Sequence, residues 1–117
     1  MALRIYGYAG CTTVKKARDW AASNDITHDY MHFAKADDLD ALLRAWVKSA
    51  GIDAVFNAKA QTLKKMDEAT RSAILASDGA KIEAMHTDPR LIKRPVGTNG
   101  QTVLTGFDEE AWKAAFA

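Results

Sequence analysis

Leu3-Arg4-Ile5-Tyr6-Gly7-Tyr8-Ala9-Gly10-Cys11-Thr12-Thr13-Val14-Lys15-Lys16-Ala17 is the stretch that decides how this chain folds. Leu3 to Tyr6 is a short apolar run, read as a buried strand, and Gly7-Tyr8-Ala9-Gly10 stops it with a tight loop. Beyond the loop, Val14, Ala17, Trp20 and Ala21 recur at helical spacing, and Asn24-Asp25 supplies a stop. Ile26 to Phe33 then alternates, with Ile26, His28, Tyr30 and His32 on one side and Thr27, Asp29, Met31 and Phe33 on the other. That is a strand period, so the first 33 residues form one β-α-β unit, with a right-handed crossover and parallel strands.

Outward from this unit the pattern becomes helical. Leu39, Leu42, Leu43, Trp46 and Val47 line one helix face, opened by Asp37 or Asp38 and closed by Gly51. Asp67 is placed to cap a helix running through Ile74 and Leu75, and Asp78 a shorter one carrying Ile82 and Met85, ended by Asp88-Pro89. Leu91-Ile92-Lys93-Arg94-Pro95-Val96, the turn Gly97-Thr98-Asn99-Gly100 and Val103-Leu104-Thr105-Gly106 then read as a hairpin, with Asn99-Gly100 as its strongest signal. Asp108, Glu109 and Glu110 open a last helix at its positive end, with Ala111, Trp112, Ala115 and Phe116 facing inward. The order β-α-β, helices, β-β-α, with a thiol at the start of the first helix, describes a thioredoxin-like fold, a mixed four-stranded sheet carrying a helical insertion. The alternative from pattern alone is another small open α/β fold, against which the late hairpin and final helix speak. The expected organisation is a single domain over 1–117, with the core at 1–33 and 89–117 and the insertion at 34–88.

Composition narrows the function. In 117 residues, 16 Lys and Arg stand against 15 Asp and Glu, a net charge of +1 with neutral histidines. A chain that binds nucleic acid by counterion release shows a basic excess, so direct nucleic-acid binding is not expected. No apolar run approaches the ~18 residues that span a bilayer, and no signal-type segment opens the chain. A cytoplasmic protein without a membrane partner is expected. Cys11 is the only cysteine, so it has no intramolecular disulfide partner and cannot form a Cys-rich zinc site. His28 and His32 bring no further ligands at metal spacing, and Trp20, Trp46 and Trp112 each fall on an apolar helix face as core.

Cys11 carries the chemistry. It falls at the first turn of a helix, where the amides of Thr13, Val14 and Lys15 lack intrahelical partners and can point at the sulfur. A free thiol with a pKa near 8.5 is only about 3% ionised at pH 7. A helix terminus supplies about 0.3–1 kcal/mol toward the anion, ~2 in a good partly buried case. Strong activation therefore needs a cation as well. Lys15 is the nearest in sequence, and Arg94 can reach the same place through the fold. An unpaired cysteine is often just a small buried hydrophobe; the glycine-flanked helix start followed by Lys15 and Lys16 favours a reactive thiol instead. A P-loop would need lysine after Gly10, a cysteine phosphatase loop arginine at Ala17, and a two-cysteine redox motif a thiol at Val14. None is present, so Cys11 must be resolved by a thiol from another molecule.

The Cys11 loop, taken with Leu91-Ile92-Lys93-Arg94-Pro95-Val96 and Leu104-Thr105-Gly106-Phe107, resembles the arsenate reductase ArsC/Spx family over essentially the whole chain, and most closely its YffB-like branch. The resemblance implies a thioredoxin-like fold with a helical insert, a nucleophilic Cys11 and a cis Arg94-Pro95 bond beside it. Cys11 is the expected catalytic residue. Thr12, Thr13, Lys15, Arg94 and Pro95 are the expected substrate- or glutathione-binding residues, with no metal ligand and no bound cofactor. The leading expectation is a glutathione-dependent thiol reductase acting on an unidentified thiol, disulfide or oxyanion substrate, with glutathione as co-substrate. The alternative is an Spx-like regulator whose partner is RNA polymerase, although Val14 takes the place of that group's second cysteine. A third reading is arsenate reduction. Members that reduce arsenate carry further arginines where this chain has Asn57 and Thr105-Gly106, and Lys15 cannot make the bidentate fork that an oxyanion favours.

Overall fold

The computed structural model describes residues 2–8 and 10–117; Ala9, part of the loop read from the sequence, lies outside the described residues. The chain divides into two compact units, the first reaching Asp37 and resuming at Arg94–Ala117, the second covering Asp38–Lys93.

The first unit is built on a sheet of β1 (Leu3–Gly7), β2 (His28–His32), β3 (Val96–Thr98) and β4 (Val103–Thr105), in the order β2-β1-β3-β4. β1 and β2 are parallel, with Ile5 opposite Tyr30 and Gly7 opposite His32; the other pairings are antiparallel. This is the mixed four-stranded sheet of a thioredoxin-like fold. Helix α1 (Thr12–Ser23) connects β1 to β2 and buries Val14, Ala17, Trp20 and Ala21, the four positions that the helical spacing selects. It ends as the Asn24-Asp25 pair suggests: Asp25 takes φ 55° and the Ile26 amide turns back to the Ala21 carbonyl at 2.8 Å. Leu3, Ile5, the α1 residues and Trp112 of the last helix form one core, with Cys11, Ile26, Tyr30, Leu104, Phe107 and Phe116 packed against it. Two close approaches set its thickness. A Cβ on Gly7 would stand 2.5 Å from a Val14 methyl, and one on Gly97 would collide with the Trp112 ring.

The second unit is helical: α2 (Leu39–Ala50), α3 (Ile52–Val55), α4 (Gln61–Lys64), α5 (Glu68–Leu75) and α6 (Asp78–Thr87). Asp38 caps α2 by accepting from the Ala41 amide at 3.1 Å, and Gly51 ends it at φ 94°. Asp67 caps α5 by accepting from the Thr70 amide at 2.7 Å. α2 packs on α3 and α6, and α6 on α5. Phe56 and Ile92 form an isolated antiparallel bridge, closed by the Asn57 amide on the Leu91 carbonyl and the Lys93 amide on the Val55 carbonyl, each at 2.8 Å. Among the described residues no helix is long and apolar enough to cross a membrane.

Four details differ from the sequence reading. Ser77, not Asp78, caps α6, because its hydroxyl reaches the Ala80 amide at 3.1 Å. The run from Leu91 to Pro95 is not strand: a 3-10 turn over Pro89–Leu91 precedes it and β3 starts only at Val96. Gly97 and Thr98 therefore belong to the strand, and the turn is held by the Asn99 side chain, which accepts from the amides of Gln101 and Thr102 at 3.0 and 2.9 Å. Helix α7 (Glu109–Phe116), capped by Asp108, buries Trp112 but leaves Ala111 exposed.

Candidate functional site

Cys11 is the N-cap of α1, with extended φ and ψ of −83° and 122°. Its amide donates to the Tyr8 carbonyl at 3.2 Å, closing the loop, and its carbonyl accepts the first helical bond from Lys15 at 3.1 Å. A strand that ends on Gly7 and a helix that starts at Thr12 hold the thiol half-buried at the edge of the core.

Arg94 arrives from the other end of the sequence. It precedes Pro95 across a cis bond, and Pro95 is fully buried, its carbonyl accepting from the Gly106 amide at 2.9 Å. The guanidinium carbon lies 5.3 Å from the centroid of the Tyr8 ring, a cation–π contact of about 0.5–1 kcal/mol at an exposed site. Tyr8 is itself set edge to face against His32 and Phe33, at centroid distances of 5.1 and 5.4 Å. Buried Phe33 thus anchors Tyr8, Tyr8 carries Arg94, and the Arg94 guanidinium favours the sulfur anion.

These groups set the acidity of the thiol. Burial, the largest single influence, pushes the Cys11 pKa up; the Val14 amide, the Arg94 hydrogen bond, the Thr13 amide and the Arg94 charge all push it down, and together they prevail. The net result is a pKa below the ordinary thiol value. By distance and angle the sulfur makes no cap hydrogen bond. Sulfur is a large, weak acceptor, and amides that fall short of a formal bond still favour the anion, so for acidity the electrostatics decide.

The structure distributes the other expected site residues as follows. Thr12 is the exposed first residue of α1, Thr13 turns its amide to the sulfur, and Pro95 supplies rigid backbone next to Arg94. Lys15 is directed elsewhere: its Nζ pairs with Asp19 at 2.6 Å, and both side chains are more than half exposed. Arg94, not Lys15, is the cation acting on Cys11. Tyr8 was not singled out by sequence, although an aromatic residue in a glycine-flanked loop before the cysteine is the available signal. His32 accepts from the Ala34 amide at 3.0 Å, and His28 Nδ1 lies 3.3 Å from the Ile26 carbonyl. Among the described residues no group of three or more His, Cys, Asp or Glu side chains is placed to hold a metal ion.

A half-buried thiol on a helix N-terminus, beside an arginine that precedes a cis proline, can be compared with known families. The sequence profile of the ArsC family matches residues 6–115. The chain belongs to the ArsC family. It is similar over 98% of its length to 99% of an uncharacterised protein of Haemophilus influenzae, at 32% identity. The solved structure of a protein called YFFB superposes with a TM-score of 0.89 at 33% identity, covering 99% of this chain and all of that one. Global transcriptional regulator Spx 2 of Oceanobacillus iheyensis is 25% identical over 94% of this chain and 80% of its own. The solved structure of an arsenate reductase (ArsC) related protein of Brucella melitensis is 28% identical, with a TM-score of 0.76 over 99% of this chain and 95% of that one.

Proposed function

We propose that this protein is a glutathione-dependent thiol–disulfide reductase whose sole nucleophile is Cys11. The observation that carries the reading is the Cys11–Arg94 pair at the head of α1, where two amides and a guanidinium favour the thiolate. In the reaction, the Cys11 thiolate attacks the glutathione sulfur of a mixed disulfide, R–S–S–G. The S–S bond of the mixed disulfide breaks, R–S⁻ leaves and takes a proton from solvent, and Cys11–S–S–G forms. A glutathione thiolate then attacks that glutathione sulfur, releasing oxidised glutathione and the Cys11 thiolate. The sum is R–S–S–G plus glutathione giving R–SH plus oxidised glutathione. An external thiol is required because the chain has one cysteine. Arg94 steadies the sulfur anion in both steps, and the exposed Lys15 is free to leave Asp19 for a ligand carboxylate, since exposed ion pairs are weak. The test is NADPH consumption with glutathione, glutathione reductase and a glutathionylated peptide. Turnover that Cys11→Ser abolishes supports the reading; wild-type turnover at the uncatalysed rate overturns it.

The likeness to Spx 2 favours a second reading, a regulator that binds RNA polymerase. Val14 stands where a two-cysteine switch would place its second thiol, so this chain would bind without that switch. Stoichiometric recovery of polymerase on the immobilised protein, without glutathione turnover, is the outcome that selects it. Arsenate reduction is the third reading. Arsenate-dependent NADPH consumption with glutathione, glutaredoxin and glutathione reductase, absent in Cys11→Ser, would select it.

A further inference from the structure

A pocket of about 440 Å³ lies between α1 and the edge strand β2, lined by Val14, Lys15, Arg18, Asp19, Ala22, His28 and Tyr30. Its chemistry is unusual for a surface cleft on three counts. The Arg18 guanidinium carbon sits 4.3 Å from the Tyr30 ring centroid, which fixes the plane of the fork over an aromatic face. Among the described residues no carboxylate pairs with Arg18; the one acid in the pocket, Asp19, is taken by Lys15. The Tyr30 hydroxyl is shut off from water and has no hydrogen-bond partner among the described residues. An arginine fork held on an aromatic ring and paired with no carboxylate among the described residues is the donor that a ligand carboxylate satisfies.

The pocket is also in register with the thiol. Cys11, Lys15 and Arg18 are related by i, i+4 and i+7, one stripe of α1, and Arg18 follows Cys11 by about 10.5 Å along the axis. Helical Cα–Cβ bonds tilt toward the N-terminus, which brings the stem of Arg18 toward the Cys11 end of α1. A peptide carboxylate one residue beyond its thiol extends about 7 Å from it. The spacing therefore suits a short thiol peptide with its sulfur at Cys11 and a carboxylate at Arg18.

We propose that the α1–β2 pocket is a carboxylate subsite for the thiol peptide that exchanges with Cys11, with Arg18, held flat on the Tyr30 ring, forking the carboxylate. The inference rests on the reductase reading for the identity of its ligand. Its test does not, because the probe is S-methylglutathione, a thioether that cannot exchange. Titrated into isotope-labelled protein and followed by NMR, it is expected to bind saturably and move the signals of Lys15, Arg18 and Tyr30. Arg18→Gln should weaken binding about tenfold. The diethyl ester of the probe, which has no free carboxylate, should not move those signals. Unchanged affinity in Arg18→Gln, shifts that avoid α1 and β2, or no saturable binding would each overturn the subsite. A Cys11 that fails to exchange with oxidised glutathione, in protein that still seats the thioether at Arg18, would overturn the reductase reading and leave the subsite standing.

Discussion

The acidity of Cys11 depends on a residue 83 positions away in the chain. Arg94 contributes both a hydrogen bond and a charge that favour the thiolate, opposing the burial that favours the thiol. Removing it leaves two amides against burial, so Arg94→Ala should move the pH midpoint of Cys11 alkylation upward. Arg94→Lys keeps the charge and loses the planar fork that rests on Tyr8, so its midpoint should fall between the two. A midpoint in Arg94→Ala equal to wild type would show that the helix terminus alone activates the sulfur. The place of Cys11 at a helix start was legible in the sequence, because a strand, a glycine loop and a helical period meet within a dozen residues. Arg94 was legible only through the Lys-Arg-Pro likeness to a family, since no local pattern tells an arginine at a strand end which way it faces. The part of Tyr8 could not be read at all: it depends on residues 8, 32, 33 and 94 converging, and only the folded sheet brings them together.

Among the elements, β3 shows best how packing overrides pattern. Residues 91–96 are as apolar as a strand requires, yet Asp88-Pro89 starts a 3-10 turn and Ile92 pairs instead with Phe56. The strand that does form holds Gly97 directly under the Trp112 ring, whose Nε1 donates to the Gly106 carbonyl at 2.9 Å. A methyl there must displace an indole held by Trp20, Phe107 and Phe116. Gly97→Ala should therefore cost about 1–3 kcal/mol in urea unfolding, the usual penalty of overpacking. At the other end of the scale of difficulty, α2 and α5 were readable because each carries an aspartate cap before a helical run. Helices α3 and α4 span four residues each, too few to display a period, and went unseen. In α2, Asp38→Ala should lower stability by about 0.5–2 kcal/mol, also by urea unfolding.

At the scale of the whole molecule, the thiol couples chemistry to stability. Its pKa is lower in the folded chain than in an unfolded one, where it returns to the ordinary value. Ionisation then favours the folded state: the contribution is complete above about pH 8.5 and is lost as pH falls through the folded pKa. The difference in unfolding free energy between wild type and Cys11→Ser should accordingly shift toward wild type as pH rises through that window. A difference that is flat with pH would mean that folding does not favour the thiolate. The parallel β1–β2 pair and the late hairpin were legible at this scale, from the crossover rule and the turn chemistry, whereas the order β2-β1-β3-β4 comes from the folded sheet alone. The second unit, Asp38–Lys93, lies within five residues of the insertion read at 34–88, and its exact ends were not legible because no run of glycine, proline or serine marks either point.

The most direct measurement is the mass of the intact protein after oxidised glutathione at neutral pH, and again after reduced glutathione. An adduct of ~305 Da, one glutathionyl group in place of the thiol hydrogen, is expected on Cys11 in the first step, with its complete removal in the second. No adduct, in protein whose Cys11 is nonetheless open to alkylation, would contradict glutathione exchange at Cys11.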